Sequence, residues 1–522
     1  MFKRNCLLIC VLVLAILGIA GCGRFRGGET EPAIYRVTRR TGLFRFSSYK
    51  AYGAGSDFMA RFFWDEDYFS QPATIYNHSL ATMTLAFAMS AFASDVAGID
   101  YQAQNAIYLL GQIGFNDIEV NHYFTVTPHE DSMGVIAAHK DIEANGRMYT
   151  LVAVSTRGSG YGIEWAGNFT VGANGYHEGF RRAADETLRF VEDYVNRHRD
   201  SFAGDIKFWI TGYSRGGAVA NMFAAWVSEA EGIAGLRVNR DNIFAYTFST
   251  PRAVPISQIQ GQRRHTNIHN VVSPADIVTW VAPYAWGFGR YGVDHYIPEC
   301  RQISGSYAFD TMLRFLYELD TDRSRETIVY TADGERRHIT ETFQAVALDN
   351  INIFPPGVGM SYTDSLISPF LQELTDGFAA GVAGQDNFAT ELEDIVRVFI
   401  ADAMQGQSLA YRMDAATEIF LSKLSLQNAI EIVAAFVTDG MEGVAALAAK
   451  YLHESIVEAG IDIDGGALIA EALVSSFTYI GIDGVLTLIH NLDVLAAAHH
   501  PEFMLAWLMS RDVNYLYGNG RF

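Results

Sequence analysis

Residues 206–226, IKFWITGYSRGGAVANMFAAW, predict a buried strand, a tight turn and a helix in direct succession. Residues 206–211 are mostly apolar or β-branched, as in buried strands, and the small residues from Gly217 onward favour a helix. The turn between them, GYSRG at 212–216, has the pattern G-x-S-x-G, which in this context forms a nucleophile elbow. A side chain at either glycine would collide with the neighbouring strand or helix. We therefore interpret Ser214 as a nucleophile, the alternative being an incidental serine in a glycine-rich turn.

Strand and helix patterns alternate on both sides of this turn. Strands are predicted at residues 149–155, 243–248 and 267–272, and a long helix precedes the elbow and ends near Arg199. Such alternation is typical of a largely parallel sheet with helices packed on its faces. The sequence therefore predicts the α/β class.

The composition limits the class of partner. The chain has 522 residues, of which 49% are hydrophobic, and its formal net charge is −21. Such a chain can bury a substantial core, but without a basic stripe it is a poor candidate for nucleic-acid binding. We expect an uncharged or hydrophobic substrate, and we predict neither a nucleic acid nor a protein as a partner.

The first residues have the parts of a signal peptide. Lys3 and Arg4 precede an apolar run at residues 7–20, which is too short to span a bilayer, and the run leads into Ile19-Ala20-Gly21-Cys22. This tetrapeptide resembles the lipobox of bacterial lipoproteins, in which the signal peptide, here residues 1–21, is removed and the cysteine is acylated. The resemblance implies an anchor of palmitate-like chains at Cys22 in a bacterial cell envelope, at the outer membrane if the cell is Gram-negative. An ordinary signal peptide or an uncleaved anchor is the alternative.

Composition divides the rest of the chain into four segments. Residues 22–56, which are basic and rich in glycine, are interpreted as a lipidated tether, and residues 57–303 as the α/β core. Residues 304–490 have mostly helical patterns. We interpret them as an insertion that caps the site around Ser214 or, alternatively, as an appendage without contact to it. Residues 491–522 are predicted to return to the core and to carry a catalytic base.

Several short motifs around the elbow occur in a recognisable order. They are RGS at 157–159, EW at 164–165, HEGF at 177–180, TGYSRGGA at 211–218, STPR at 249–252 and NVVSPAD at 270–276. In order and spacing they resemble the motifs of class 3 lipases, which have the α/β-hydrolase fold with a mostly parallel sheet. The resemblance covers roughly residues 150 to 300. It implies a serine hydrolase that cleaves carboxylic esters with a Ser-Asp-His triad and no cofactor. Tyr213 and Arg215 depart from the histidine and leucine usual beside the nucleophile, which leaves the substrate preference open.

Asp276 is the candidate for the acid of the triad. It follows the strand predicted at 267–272, at the end of the sheet where the elbow is expected. On the residues alone, a triad acid and a helix N-cap after Ser-Pro-Ala explain it equally well. The resemblance favours the triad role, and Asp294 and Asp241 are weaker candidates.

The base is expected late in the chain, because the triad order in this fold is serine, acid, histidine. His295 lies in a predicted strand, and His177 lies in the HEGF motif, which is structural in the resembling family. The motif AHHPEF near the C-terminus resembles the late histidine motif of that family. We therefore predict His499 as the base, with His500 as the alternate and His490 third.

The resemblance also implies two donors for an oxyanion hole. They are the backbone N–H of Arg215, next to the nucleophile, and Ser159 in the RGS motif. No metal is predicted, because the polar trio His-Glu-Asp at 129–131 has no second set of ligands at useful spacing. Cys300 would be the only cysteine of the mature chain besides Cys22, so no disulfide within the chain is expected.

These motifs favour a membrane-anchored lipase or esterase that acts on triacylglycerols or phospholipids. Two alternatives stay open. An acyltransferase would use the same triad with an alcohol in place of water, and a catalytically silent envelope scaffold would bind lipid through the helical insertion. An intact triad argues against the scaffold, which would not need one.

Overall fold

A computed structural model describes the core of the chain and short parts of the rest. The described residues are 41–49, 57–91, 103–124, 132–158, 175–259, 264–273, 276–280, 282, 287–297, 328–330, 336–338, 499, 501–512 and scattered positions between 419 and 458. The helices are α1 His78–Ser90, α2 Gln104–Gln112, α3 Glu178–His198, α4 Arg215–Glu229, α5 Ile256–Ile259 and α6 Pro501–Arg511. The strands are β1 Thr41–Tyr49, β2 Asp57–Asp65, β3 Asn116–Val120, β4 Val135–Ala144, β5 Arg147–Thr156, β6 Asp205–Tyr213, β7 Gly232–Ile233, β8 Leu236–Arg237, β9 Ile243–Phe248, β10 Val254–Pro255, β11 Ile268–Val272, β12 Phe288–Gly289, β13 Val293–Tyr296, β14 Ile328–Tyr330 and β15 Arg336–His338.

Seven of these strands form one twisted sheet in the order β13-β11-β9-β6-β5-β4-β3. The five strands from β13 to β5 run parallel to one another. The last two, β4 and β3, pair antiparallel at one edge. Helices cover both faces, so the predicted α/β-hydrolase fold with a mostly parallel sheet is confirmed.

Strand β6 lies at the centre of the sheet and leads into the elbow. All of its residues except Asp205 are buried. Trp209 and Tyr213 point into the core on one face, whereas Phe208 and Ile210 point into the core on the other. A strand covered on both faces must be apolar at successive positions, which explains why residues 206–211 form a nearly continuous apolar run.

The two faces are covered differently. On one face, α3 and α4 pack against the sheet and form a core with the inward side chains of β5, β6 and β9. On the other face, α1 lies between the sheet and α6, and its apolar residues are buried all round, as expected for a helix enclosed on every side. The side chain of Asn77 caps α1 by accepting a hydrogen bond of 3.0 Å from the N–H of Leu80.

Part of the segment that was predicted to be a tether forms a strand. Residues 41–49, assigned to the tether at 22–56, form β1 and pair antiparallel with β2 over nine residue pairs. Phe46 is fully buried, and its ring lies 6.0 Å from the ring of Phe62. The basic charge of the segment suggested a solvated linker, but Phe44 and Phe46 have the period of two that a strand needs to bury one face. The folded part therefore includes Thr41–Tyr49.

The insertion predicted at 304–490 is described only in part. Positions between 419 and 458 that are described are helical, in agreement with the helical patterns there. Two short strands, β14 and β15, pair antiparallel and were not predicted. The signal peptide at 1–21 and Cys22 lie outside the described residues. Within the described residues, no helix combines the length and the apolar character needed to cross a bilayer.

Candidate active site

The elbow holds Ser214 in a backbone conformation that is rare for serine. Ser214 has φ 56° and ψ −126° and lies between the last residue of β6 and the first residue of α4. A positive φ is costly for a residue with a Cβ, so the surrounding structure must hold it in place. The N–H of Ser214 donates a hydrogen bond of 2.9 Å to the carbonyl of Phe248, at the end of the neighbouring strand β9. The turn is therefore fastened to the sheet.

Two glycines allow this turn to be so tight. A Cβ at Gly212 would collide with the carbonyl of Gly216 in the first turn of α4. A Cβ at Gly216 would collide with the carbonyl oxygens of Thr156 and Arg157, at the end of β5. These are the collisions with helix and strand that the pattern G-x-S-x-G predicts.

Ser214, His499 and Asp276 form a continuous chain of hydrogen bonds. Ser214 Oγ lies 3.0 Å from His499 Nε2, and His499 Nδ1 lies 2.9 Å from one carboxylate oxygen of Asp276 and 3.0 Å from the other. An ionised carboxylate only accepts hydrogen bonds, so Nδ1 carries the proton and Nε2 is free to accept the proton of Ser214. The structure thus brings the three predicted residues together in the geometry of a nucleophile, a base and an orienting acid. Their catalytic roles stay a prediction.

Asp276 fits both interpretations that the sequence left open. It follows β11, is completely buried, and its Oδ1 accepts a hydrogen bond of 2.9 Å from the N–H of Val278 in the short 3₁₀ helix Ile277–Trp280. The cap bond and the bonds to His499 use different lone pairs of the same carboxylate. The cap therefore fixes the carboxylate that faces the histidine.

His499 reaches the elbow because α6 is docked on α1. The ring of His78 lies 2.9 Å from the carbonyl of Leu508, and Ser79 Oγ donates a bond of 2.7 Å to Asp512. His499 is 285 residues away from Ser214 in sequence. Packing of the C-terminal helix, rather than any local pattern, therefore sets the position of the predicted base.

The weaker candidates for the acid lie elsewhere. Asp294 lies in β13, where it pairs with Arg290 at 3.0 Å and accepts a bond from Asn270. Asp241 lies in the 3₁₀ turn Arg240–Asn242, far from the elbow along β9. Neither residue has a hydrogen bond to His499 in the described part of the chain.

The disfavoured histidines also have other contacts. The ring of His295 stacks on Tyr76 at 4.0 Å and bonds to His269, and the ring of His177 stacks on Phe180 at 4.0 Å. The remaining predicted bases, His500 and His490, lie outside the described residues.

Of the two predicted oxyanion donors, only Arg215 lies within the described residues, and Ser159 lies outside them. Arg215 is the first residue of α4, where backbone N–H groups have no intrahelical acceptor. Its side chain is buried and donates a bond of 3.0 Å to the carbonyl of Ser132. The guanidinium therefore points into the protein, while the N–H belongs to the helix start beside Ser214.

One contact at the site was not predicted. Tyr213 Oη donates a hydrogen bond of 2.9 Å to the backbone carbonyl of His499, and it accepts one of 3.0 Å from Ser249 Oγ. The only signal in the sequence was that tyrosine replaces the usual histidine before the nucleophile. The tyrosine supplies a hydroxyl that contacts the backbone of His499, the predicted base.

A group of side chains with metal-ligating chemistry was also missed. Asp117, His139 and His198 lie together at the edge of the sheet, although they are scattered in the sequence. The trio at 129–131 that was considered as a metal cluster lies outside the described residues.

Comparisons with known proteins agree with this geometry. Residues 154–285 match the sequence model of the class 3 lipases, and this segment contains Ser214 and Asp276 but not His499. A comparison with curated protein sequences gives no significant match.

Three solved structures are similar to parts of the chain. A triacylglycerol lipase with a serine protease triad as its catalytic centre is 18% identical over 42% of this chain and 78% of its own, with a TM-score of 0.31. Lipase II from Rhizopus niveus is 16% identical over 36% of this chain and 69% of its own, with a TM-score of 0.24. M37 lipase is 18% identical over 44% of this chain and 74% of its own, with a TM-score of 0.28. Residues 154–285 are similar to the class 3 lipases, a family of carboxylic ester hydrolases, and this similarity supports a lipase-type ester hydrolase.

Proposed function

We propose that the protein is a lipid-anchored serine hydrolase that cleaves carboxylic esters of lipids with Ser214 as nucleophile, His499 as base and Asp276 as orienting acid. The observation that carries the proposal is the unbroken hydrogen-bond chain from Ser214 Oγ through His499 to Asp276. The tight turn by itself would not activate Ser214, because a serine hydroxyl without a neighbouring base is a weak nucleophile at neutral pH.

The reaction follows from the proton positions. His499 Nε2 takes the proton of Ser214 as Oγ forms a bond to the ester carbonyl carbon, and Asp276 stabilises the imidazolium that results. The carbonyl oxygen becomes an oxyanion, for which the N–H of Arg215 is the available donor at the helix start. The C–O bond to the alcohol then breaks as Nε2 returns the proton to the leaving oxygen. Water, deprotonated by the same base, releases the acyl group from Ser214.

Lipid substrates and a membrane location are part of the same proposal. The family match supports an ester substrate, and the sequence Ile19-Ala20-Gly21-Cys22 supports acylation at Cys22 in a bacterial envelope. Residues 304–490 stand between Asp276 and His499 in the chain, which supports a role as a cap over the site that selects the acyl chain.

The test of the chemistry uses the full-length protein in detergent and p-nitrophenyl esters of increasing chain length. Replacing Ser214 or His499 by alanine should lower kcat by a factor of roughly 10⁶, and Asp276→Asn by about 10⁴, because the triad acts as a unit. His500→Ala is the matched control for the neighbouring histidine and should keep the activity. A fluorophosphonate probe should label the wild type but not Ser214→Ala.

Each other outcome has a distinct meaning. If His500→Ala loses activity and His499→Ala retains it, the base is His500 and not His499. Acyl transfer to an added alcohol that exceeds hydrolysis would identify an acyltransferase. No turnover of any ester together with no fluorophosphonate adduct would leave a silent scaffold. For the anchor, metabolic labelling with palmitate should mark the wild type and not Cys22→Ser; equal labelling would refute acylation at Cys22.

A further inference from the structure

A polar cluster lies between the edge strands β3 and β4 and the end of α3. Asp117 Oδ2 is 3.6 Å from His139 Nε2 and 3.9 Å from His198 Nδ1, and one ligand atom of each residue lies within 4.8 Å of the others. Because α3 ends just before β6 begins, the cluster lies at the amino ends of the parallel strands. The elbow lies at their carboxyl ends, so the cluster is separate from the candidate active site.

The hydrogen bonds of Tyr194 determine the tautomer of His139. Tyr194 Oη must donate to the carbonyl of Asp117, at 3.0 Å, because a carbonyl oxygen only accepts. A hydroxyl has one hydrogen, so in the 2.8 Å contact between Tyr194 Oη and His139 Nδ1 the ring nitrogen is the donor. Nδ1 therefore carries the proton of the neutral ring, and Nε2 carries a lone pair.

The lone pair of His139 Nε2 faces other acceptors. Ser201 Oγ lies 3.2 Å from Nε2, but its hydrogen is donated to the carbonyl of His198 at 2.7 Å. The next neighbour in the described part of the chain is the carboxylate of Asp117. Three electron-rich atoms thus converge in a place where His139 is 5% exposed. The side chain of Asp117 is half-exposed, so the group opens to solvent, and a cation at this point would interact favourably with all three atoms.

His198 presents its second nitrogen to the same point. Its Nε2 lies 2.6 Å from Glu119 Oε1, and since a carboxylate accepts, Nε2 is the donor; in the neutral ring, Nδ1 then has the lone pair. Glu119 is itself held by Arg197. Both histidines therefore have their outer N–H fixed by a partner and their inner lone pair directed at Asp117, which is how metal-ligating histidines are oriented in proteins.

A proton would be a poor substitute for a metal in this position. His139 is buried, and the carboxylate of Asp117 lies 3.6 Å from its Nε2. The ring of His198 lies only 5.5 Å away, so a charge on both rings would be repulsive. A divalent cation satisfies both lone pairs and the carboxylate at once.

The backbone of Asp117 also fits a binding role. It has φ 46° and lies in the irregular stretch of β3 between Asn116 and Glu119, where the register with β4 shifts. Neighbouring ligand atoms of a tetrahedral zinc are roughly 3.3 Å apart for bonds of about 2.0 Å. The two separations from Asp117, 3.6 and 3.9 Å, are a few tenths of an ångström longer than this, and the two histidine nitrogens lie within 4.8 Å of each other.

We propose that Asp117, His139 and His198 bind one divalent transition metal of the zinc class, with water as a fourth ligand. Imidazole and carboxylate ligands suit zinc better than calcium or magnesium, which prefer oxygen alone. The metal would join the end of α3 to the edge of the sheet and so stabilise the fold, and this role does not depend on the proposed hydrolase activity.

The test uses the full-length protein without a polyhistidine tag, in detergent and freed of metal by a chelator. Titration with Zn²⁺ should show one high-affinity equivalent and raise Tm by several degrees, because a ligand that binds only the folded state stabilises it. Ca²⁺ and Mg²⁺ should not. Co²⁺ should give the visible absorption of a four- or five-coordinate nitrogen and oxygen site.

Variants separate this site from zinc binding elsewhere. Asp117→Gly removes a ligand and relieves the positive φ, so it should fold without metal yet lose the high-affinity equivalent and the Tm shift. Tyr194→Phe, which removes the partner of His139 Nδ1, should weaken Zn²⁺ binding about 10- to 100-fold. Asp193→Asn, an exposed carboxylate on the same helix, is the control and should bind as the wild type does. Equal zinc binding by wild type and Asp117→Gly, or no binding by either, would overturn the proposal.

Discussion

The hydroxyl of Tyr213, the residue before Ser214, donates a hydrogen bond of 2.9 Å to the backbone carbonyl of His499. Burial, and after it the charge of Asp276, raises the pKa of Tyr213, so its hydroxyl stays protonated and remains a donor. Ser249 Oγ completes the arrangement by donating to Tyr213 Oη. The elbow thus holds the backbone of His499, the predicted base, as well as its side chain, and Tyr213 would act as a positioning residue.

We therefore expect Tyr213→Phe to lower kcat more than it lowers binding. The change leaves the carbonyl of His499 without this donor, so the ring can shift from Ser214, and small misplacements of this kind cost roughly 10- to 100-fold in rate. KM should change little, and the free energy of unfolding should fall by about 1–3 kcal/mol. The measurement is steady-state ester hydrolysis together with urea unfolding.

Tyr246→Phe is the matched control for this variant. It also removes a buried hydroxyl, which accepts a bond of 3.0 Å from the N–H of Asn77, but it has no contact with His499 among the described residues. It should lose stability and keep kcat. An unchanged kcat in Tyr213→Phe would show that α6 alone positions the base.

Gly216→Ala should abolish activity and destabilise the fold. Its Cβ would meet the carbonyl oxygens of Thr156 and Arg157, which belong to the sheet and cannot move aside. Overpacking of this kind costs about 1–3 kcal/mol or more. Gly111→Ala in α2 is the control, because nothing lies within 4 Å of its Cβ, and it should be neutral or stabilise by up to about 1 kcal/mol. Thermal unfolding distinguishes the two; similar Tm values would mean that the turn tolerates a side chain.

Acid should destabilise the protein through His269. Burial lowers the pKa of His269 to about 4, and its ring bonds to the carbonyl of Ala73 and to His295 while neutral. In the unfolded chain its pKa is about 6.5, so between these values only the unfolded state binds the proton. The contribution of His269 to the free energy of unfolding is therefore complete above pH 6.5. It is lost as the pH falls toward 4, at about 1.4 kcal/mol per pH unit.

The check is urea unfolding at pH 7, 5.5 and 4.5. His269→Gln keeps a donor for Ala73 but cannot titrate, so its free energy of unfolding should fall less steeply with acid than that of the wild type. His122→Gln, at an exposed position, should have the slope of the wild type. Parallel curves for wild type and His269→Gln would contradict the assignment of the proton uptake to this residue.

Phe46→Ala tests the corrected start of the folded part. Phe46 is fully buried against Phe62, so its loss should cost about 3–5 kcal/mol of unfolding free energy. Leu43, on the same strand, is 44% exposed, and Leu43→Ala should change stability by less than about 0.5 kcal/mol. If both variants unfold like the wild type, the hairpin contributes nothing and residues 41–49 behave as the tether that composition suggested.

The local parts of the site could be predicted from the sequence. The elbow around Ser214 needs only a strand, two glycines and a helix start in succession, and each is encoded within a few residues. Asp276 became a candidate because the carboxyl ends of parallel strands meet at one edge of the sheet, and the resemblance to class 3 lipases favoured it over a helix N-cap. The strand at Thr41–Tyr49 was missed because the basic charge of the segment was given more weight than the alternation of Phe44 and Phe46.

The sequence by itself therefore determined the class of the fold, the candidate nucleophile and the shortlist of candidates for the other two residues. Only the tertiary structure decided that His499 lies against Ser214, that Tyr213 holds its backbone, and that an edge of the sheet gathers Asp117 with two histidines. The reason is physical. Contacts within a turn follow from the geometry of consecutive residues, whereas contacts across tens to hundreds of residues depend on strand order and helix docking, which the whole core fixes together.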